Sequence, residues 1–150
     1  MNQNHNDNVA TPYTAIYIIF KKGGKIALLL RGHTGWMDGN YSLIAGRVDK
    51  GESFAQAAIR EAKEESGAVI DLHDLRVAGT FHRNEPDSAW VDLLFEVEKW
   101  QGDLYNAEPD KHDELTWFDP RKLPQNMVPS VRFYIEQYLE GKSYAEYGWN

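Results

Sequence analysis

The chain has 150 residues, of which 42% are apolar, 13% aromatic and 26% charged, the mixture of one ordinary globular domain with a core. Sixteen Lys and Arg against 23 Asp and Glu leave a formal charge of −7, which argues against a general nucleic-acid binder, because such a protein needs a basic face to release counterions. The absence of cysteine excludes disulfides, thiolate metal sites and cysteine nucleophiles.

Residues 1–12 are polar and are expected to form a frayed tail without the apolar core of a signal peptide. No apolar run approaches the ~18 residues of a membrane span, so no membrane partner is expected and a cytoplasmic location follows as an expectation. Tyr13–Phe20 and Lys25–Arg31 are rich in β-branched and aliphatic residues and flank "KKGG", whose glycines suit the positive φ of a hairpin turn. "YSLIAG" reads as another strand. Ser53 to Ser66 reads as a helix, with Ser53 as cap, Gln56 completing a capping box and Gly67 as the stop. Val77–Arg83 and Trp90–Val97 are predicted strands. "EPDKHDELTWFDP" is a loop leading into a short strand, and "PSVRFYIEQYLEG" is a second helix opened by Ser130 after Pro129. This order predicts an α/β fold in which helices cover the faces of a mixed sheet.

The first helix poses a physical problem. Glu61, Glu64 and Glu65 lie within five residues, and like charges at this spacing repel. On a helical wheel with Glu61 at 0°, Glu65 falls at about 40° and Glu64 at about −60°. Phe54, Ala57 and Ala58 project into or just beyond the same arc, whereas Lys63 and Gln56 face the other way. The carboxylates therefore continue the apolar stripe that must face the protein body. Turned inward without cations they would lose solvation and repel one another. A hard divalent cation resolves both problems, and an oxygen-only ligand set favours Mg²⁺ or Mn²⁺.

The whole stretch Gly46–Ala68 reads G-x5-E-x7-R-E-U-x-E-E-x-G-U, with Gly46, Glu52, Arg60, Glu61, Glu64, Glu65 and Gly67 at the fixed positions. It resembles the signature of the Nudix hydrolases. The one departure is Ala45-Gly46 where many members carry Gly-Gly. The resemblance implies an α/β/α sandwich with a mixed β-sheet between helices, spanning residues 13–150 as a single Nudix domain. It further implies Glu61, Glu64 and Glu65 as metal-binding carboxylates, with Ala45 supplying a backbone carbonyl. Glu52 and Arg60 become the pair that ties the preceding loop to the helix. Glu61 is a candidate general base, and the catalytic set is Glu52, Arg60, Glu61 and Glu65.

The implied reaction is hydrolysis of a nucleoside diphosphate linked to a further group. "VEKWQGDLYNAEPDK" resembles the post-signature loop of MutT-type nucleoside triphosphate pyrophosphohydrolases, which makes Glu108 either a further metal ligand or an ordinary acidic loop residue. Arg31, at a strand end, is placed either to meet a terminal phosphate or to sit on the surface. Trp36, Tyr41, Phe81, Trp90 and Trp117 are base-stacking or core residues. His82, with Arg83, ends a strand close behind the signature and is a candidate substrate contact. Asn126 sits near the position where some MutT-type enzymes place a base-reading amide. Ser130-Val131 replaces the acidic pair of some oxidised-purine sanitisers, and the proline-rich motif of NADH pyrophosphatases is missing. The expected substrate is a small nucleotide, with an ADP-ribose or nucleotide-sugar pyrophosphatase and a non-catalytic nucleotide sensor as alternatives. The expected assembly is a monomer or homodimer. The aromatic segment "GKSYAEYGWN" is expected to pack on the domain or on a second subunit.

Overall fold

A computed structural model describes residues 8–150. The tail expectation for residues 1–7 lies outside the described residues. Strands β1 (Tyr13–Lys22) and β2 (Lys25–Arg31) form a hairpin whose turn glycines, Gly23 and Gly24, both have positive φ. Only Lys21 and Lys22 pair across this hairpin, with Ile26 and Lys25. Beyond them the two strands diverge.

That divergence corrects the expectation of one strand in "YSLIAG". The chain forms β3 (Tyr41–Ser42), which pairs with β2, and then β4 (Ile44–Arg47), which pairs with β1. The segment crosses between the two splayed strands at Leu43. Helix α1 (Phe54–Ser66) follows, with the full capping box at Ser53 and Gln56 and with Gly67 in the left-handed conformation. A 3₁₀ turn over Leu72–Asp74, not anticipated from sequence, leads to β5 (Arg76–Glu85) and β6 (Ser88–Val97), an antiparallel hairpin. Strand β7 (His112–Phe118) pairs with β2. Helix α2 (Pro129–Leu139) starts one residue earlier than expected, with Val128 as the N-cap and Pro129 in the first turn. Proline suits that position because its missing N–H has no helical partner.

The strand order is β3-β2-β1-β6-β5-β8, where β8 (Tyr144–Tyr147) comes from the aromatic segment near the end of the chain. β1 runs parallel to β6, and β5 parallel to β8, while the other pairs are antiparallel. The sheet is therefore mixed. Central strand β1 is covered on both faces, so Ile16, Ile18, Ile19 and Phe20 are all fully buried. Ile16, Ile18 and Phe20 join Ala57, Ala58 and Ala62 of α1 in one core. Ile19, Phe81 and Leu94 join Val131, Tyr134 and Ile135 of α2 in the other. This is the expected α/β/α sandwich. No described helix is long and apolar enough to cross a membrane.

Phe81 stacks face to face on Tyr134, with ring centroids 4.1 Å apart. Phe81→Ala should lower the unfolding free energy by about 3–5 kcal/mol, measured as a shift of the urea midpoint at unchanged slope.

Candidate active site

The loop between β4 and α1 is held by one arginine. Arg60 donates from Nη2 and Nε to the two oxygens of Glu52, at 2.7 and 3.1 Å, and from Nη2 to the Arg47 carbonyl at 3.1 Å. Glu52 also accepts from the Asp49 N–H at 2.7 Å. The Arg60 bonds, followed by that N–H, hold the Glu52 carboxyl below the usual range. Gly51, at φ 88°, lets the loop turn sharply enough to present Glu52. The other terminal nitrogen of Arg60, Nη1, reaches Glu61 at 2.8 Å and Glu64 at 3.2 Å. A forked cation thus serves both the loop and the acids of the next turn.

Glu65 lies deeper. It is only 9% exposed and accepts a hydrogen bond from the Ala45 N–H at 3.0 Å. Burial, then repulsion from Glu61, pushes its pKa well above the ordinary value. Glu61 is also raised by burial, against the pull of Arg60, with Glu64 and Glu108 adding repulsion. Glu61 lies directly over Gly46, where a Cβ would come within 2.2 Å of its carboxyl carbon. The signature glycine is therefore a packing requirement. Glu108 is near enough to add repulsion to both Glu61 and Glu65, on a loop whose Ala107 N–H donates to the Glu65 carbonyl at 3.1 Å. Its carboxylate pairs with Lys111 at 3.1 Å. Asn106 Oδ1 on this loop and His112 Nδ1 at the start of β7 are buried without a partner among the described residues. Glu61, Glu65 and Glu108 are half-buried to buried and Glu64 is exposed beside them; with Arg60 and Lys111 engaged at the margins, this oxygen-only set fits a hard divalent cation. Asp71, His73 and Asp74 also bring their ligand atoms within 4.8 Å of one another, but at the 3₁₀ turn, away from these carboxylates and from the cleft beside Ala45 and Gly46.

A cleft of about 580 Å³ opens on the α2 face of the sheet and reaches Ala45 and Gly46, immediately across the backbone from Glu61 and Glu65. Its aromatic surfaces are Tyr17, Trp36 and Trp90, and its cations are Arg31, Arg47 and Arg83. Glu85 and Asp87, at the β5–β6 turn, line it as well. Trp90 is flanked by the guanidinium carbons of Arg83 and Arg47, at 4.8 and 5.5 Å from its ring centre.

The candidate substrate residues divide. Trp36 faces the cleft, presented by a loop in which Arg31 donates to the Trp36 carbonyl at 2.9 Å and to Thr34 at 3.0 Å. Arg31 lies 4.8 Å from the Trp36 ring. Arg31 thus organises the loop while still lining the cleft. Asn126 does not line it: its amide donates to the Gly39 carbonyl at 2.9 Å and so braces the same loop. His82 does not line it either. Strand alternation turns Arg83 into the cleft and His82 to the other face, where its ring lies 4.5 Å from Trp149. Phe81 is core, Trp117 stacks beside Trp100, and Tyr41 packs on Phe118 with its hydroxyl bonded to Glu114.

Sequence reasoning missed the buried network beneath the cleft. Asp92 is fully buried, accepts from Arg83 Nε at 2.7 Å and from the Tyr134 hydroxyl at 2.5 Å. Burial, then the Asp92 charge, pushes the Tyr17 hydroxyl pKa upward. A signal existed: Asp92 alternates with Leu94 on one face of a predicted strand, a charge at a core position.

A family model described as "NUDIX domain" matches residues 10–138. The chain belongs to the Nudix family. It is 35% identical, over 69% of its length, to an NAD-capped RNA hydrolase NudC of Pasteurella multocida, of which it spans 37%. It is 31% identical, over 71% of its length, to an oxidized purine nucleoside triphosphate hydrolase of Danio rerio, of which it spans 66%. A crystal structure of a MutT NUDIX hydrolase from Burkholderia pseudomallei superposes with a TM-score of 0.77 at 26% identity, covering 85% of this chain and 98% of that one.

Because the folded state raises the Glu65 pKa, it binds that proton more tightly than the unfolded chain does. Metal-free stability should therefore fall as pH rises from the ordinary glutamate range towards the raised value. Glu65→Gln should be more heat-stable than wild type in EDTA at neutral pH and should lose part of this pH dependence. Divalent ions should raise the melting temperature of wild type more than that of the variant, as read by calorimetry.

Proposed function

We propose that the chain is a divalent-metal-dependent hydrolase of a pyrophosphate bond in a nucleoside diphosphate linked to a further group, with a (d)NTP or modified dNTP as the preferred substrate, giving NMP and pyrophosphate. The observation that carries this reading is the junction at Ala45-Gly46. On one side are the acids Glu61 and Glu65, and on the other a cleft with aromatic and cationic walls. A nucleoside in the cleft would direct its phosphates towards the carboxylates.

Glu61, Glu64, Glu65, Glu108 and the Ala45 carbonyl are the groups that would hold Mg²⁺ or Mn²⁺. Such an ion neutralises phosphate oxygens and lowers the pKa of a bound water. Glu65 is positioned as the most enclosed ligand because the Ala45 N–H fixes its carboxylate. Glu61, raised by burial yet bonded to Arg60, is the candidate that accepts the proton of the attacking water. Glu52 and Arg60 act at one remove, by holding the loop that carries Arg47 and Gly51. Tyr17, Trp36 and Trp90 supply apolar faces for the base.

The net charge of −7 favours a free nucleotide over an RNA chain as the substrate. Cleavage of ADP-ribose or a nucleotide sugar uses the same acids and is the second reading. A sensor without turnover would have no need of all four glutamates and the arginine at their signature positions.

The test is product analysis with Mg²⁺ over dNTPs, oxidised and methylated dNTPs, ADP-ribose, nucleotide sugars, NADH and NAD-capped RNA. Monophosphate and pyrophosphate should appear from a triphosphate. The rate should fall about a hundredfold or more in Glu65→Gln. Turnover of ADP-ribose or capped RNA alone would refute the triphosphate assignment.

A further inference from the structure

The family model ends at residue 138, whereas strand β8 and the residues after it continue to be built into the fold. β8 pairs in parallel with β5, from Thr80 opposite Tyr144 to Arg83 opposite Tyr147. The Thr80 N–H donates to the Ser143 carbonyl at 2.9 Å. Beyond the strand the grip continues. Asn84 Nδ2 donates to the Gly148 carbonyl at 3.3 Å, and Trp149 Nε1 donates to the His82 carbonyl at 3.0 Å. The Trp149 ring lies against the His82 ring. Gly148, at φ 79°, passes so close to β5 that a Cβ would come within 2.2 Å of the Asn84 carbonyl oxygen.

These contacts hold three consecutive residues, His82 to Asn84, immediately before the turn that lines the cleft with Glu85, Pro86, Asp87 and Ser88. Tyr147 also packs on Phe133 of α2, with centroids 5.4 Å apart. Helix α2 and the residue before it give the opposite wall through Val128 and Val131. The C-terminal segment therefore ties two walls of the cleft together.

We propose that residues 146–149 are a positioning strap that fixes the β5–β6 turn, and with it Glu85, Asp87 and the neighbouring Trp90, against the bound nucleotide. The proposal rests on the functional reading above and adds to it a determinant of substrate affinity outside the family signature. Without the strap β5 is an edge strand, whose terminal amides open by local fluctuation. The cleft wall then varies in position while the carboxylates of α1, on the other face of the sheet, stay in place. The strap thus acts on binding and leaves the chemical step alone. Small displacements of positioning groups are costly because recognition depends on groups held in register with the substrate.

The experiment compares Trp149→Ala and Gly148→Ala with wild type, with Tyr144→Ser as a control on the same strand. Tyr144 is exposed, and among the described residues its hydroxyl bonds Glu146 alone. Amide hydrogen exchange should quicken about tenfold at Asn84, Glu85, Asp87 and Ser88 in the two strap variants, and remain unchanged in β1 and α1. KM for the best substrate should rise about fivefold or more at unchanged kcat. Trp149→Phe, which keeps an aromatic ring against His82 but loses the N–H, should recover part of the affinity, and Tyr144→Ser should behave as wild type.

Unchanged exchange at the turn in both variants would overturn the proposal. So would faster exchange with unchanged KM, or a fall in kcat alone. If the wild-type protein turns over no nucleotide, the functional reading fails separately, and exchange at the turn still decides whether the strap holds the wall.

Discussion

The bond from the Ala45 N–H to the buried Glu65 carboxylate is the constraint around which this protein is arranged. It forces a highly charged helix face against the sheet. The helix must come close, which Ala57, Ala58 and Ala62 permit by being small, and Gly46 permits by leaving room for Glu61. Arg60 is the counterweight: without it Glu52, Glu61 and Glu64 would crowd one another with no compensating charge. The helix is anchored at both ends, by a reciprocal cap at Ser53 and by a left-handed residue at Gly67. Its carboxylates are thereby presented as a fixed array.

The sheet then connects this array to the cleft. β4 lies between α1 and the cleft, so one short strand contributes to both sides. Glu61, Glu64 and Glu65 lie on the α1 side. The cleft floor carries Arg31, Arg47 and Arg83, spaced by aromatic rings, with Glu85 and Asp87 at the rim. This order of charges suits a ligand with an aromatic end and an anionic end. Arg83 is itself restrained by Asp92, which also accepts from the Tyr134 hydroxyl. A buried charge in this position is tolerated because it is paired and hydrogen-bonded. The network links the cleft floor to α2 through Arg83, Asp92 and Tyr134.

Much of this was legible in the residues. The wheel positions of Glu61 and Glu65 placed them on the inward face, whereas Glu64, expected on the same arc, is exposed at its edge beside Arg60; the Ser53–Gln56 and Gly67 signals set the helix ends. These features are local: they depend on helical periodicity and capping chemistry, which a single sequence displays directly. The placement of Asn126 and His82 failed for the complementary reason. Which neighbour takes an amide, or which face of a strand looks into a cleft, depends on chain segments far away in sequence.

The sequence by itself determined the acidic helix, its caps, the glycine turn of the first hairpin and the signature spacing that joins Glu52 to Arg60. Tertiary structure alone decided that "YSLIAG" would divide between two strands, because the space it fills exists only after β1 and β2 diverge. It also decided that "SYAEYGWN" would extend the sheet beside β5. That pairing joins residues more than sixty positions apart, and its bonds are mostly between backbone groups that every residue type carries. A composition rich in tyrosine and tryptophan announces that a segment will pack, but only the completed edge of the sheet tells it where.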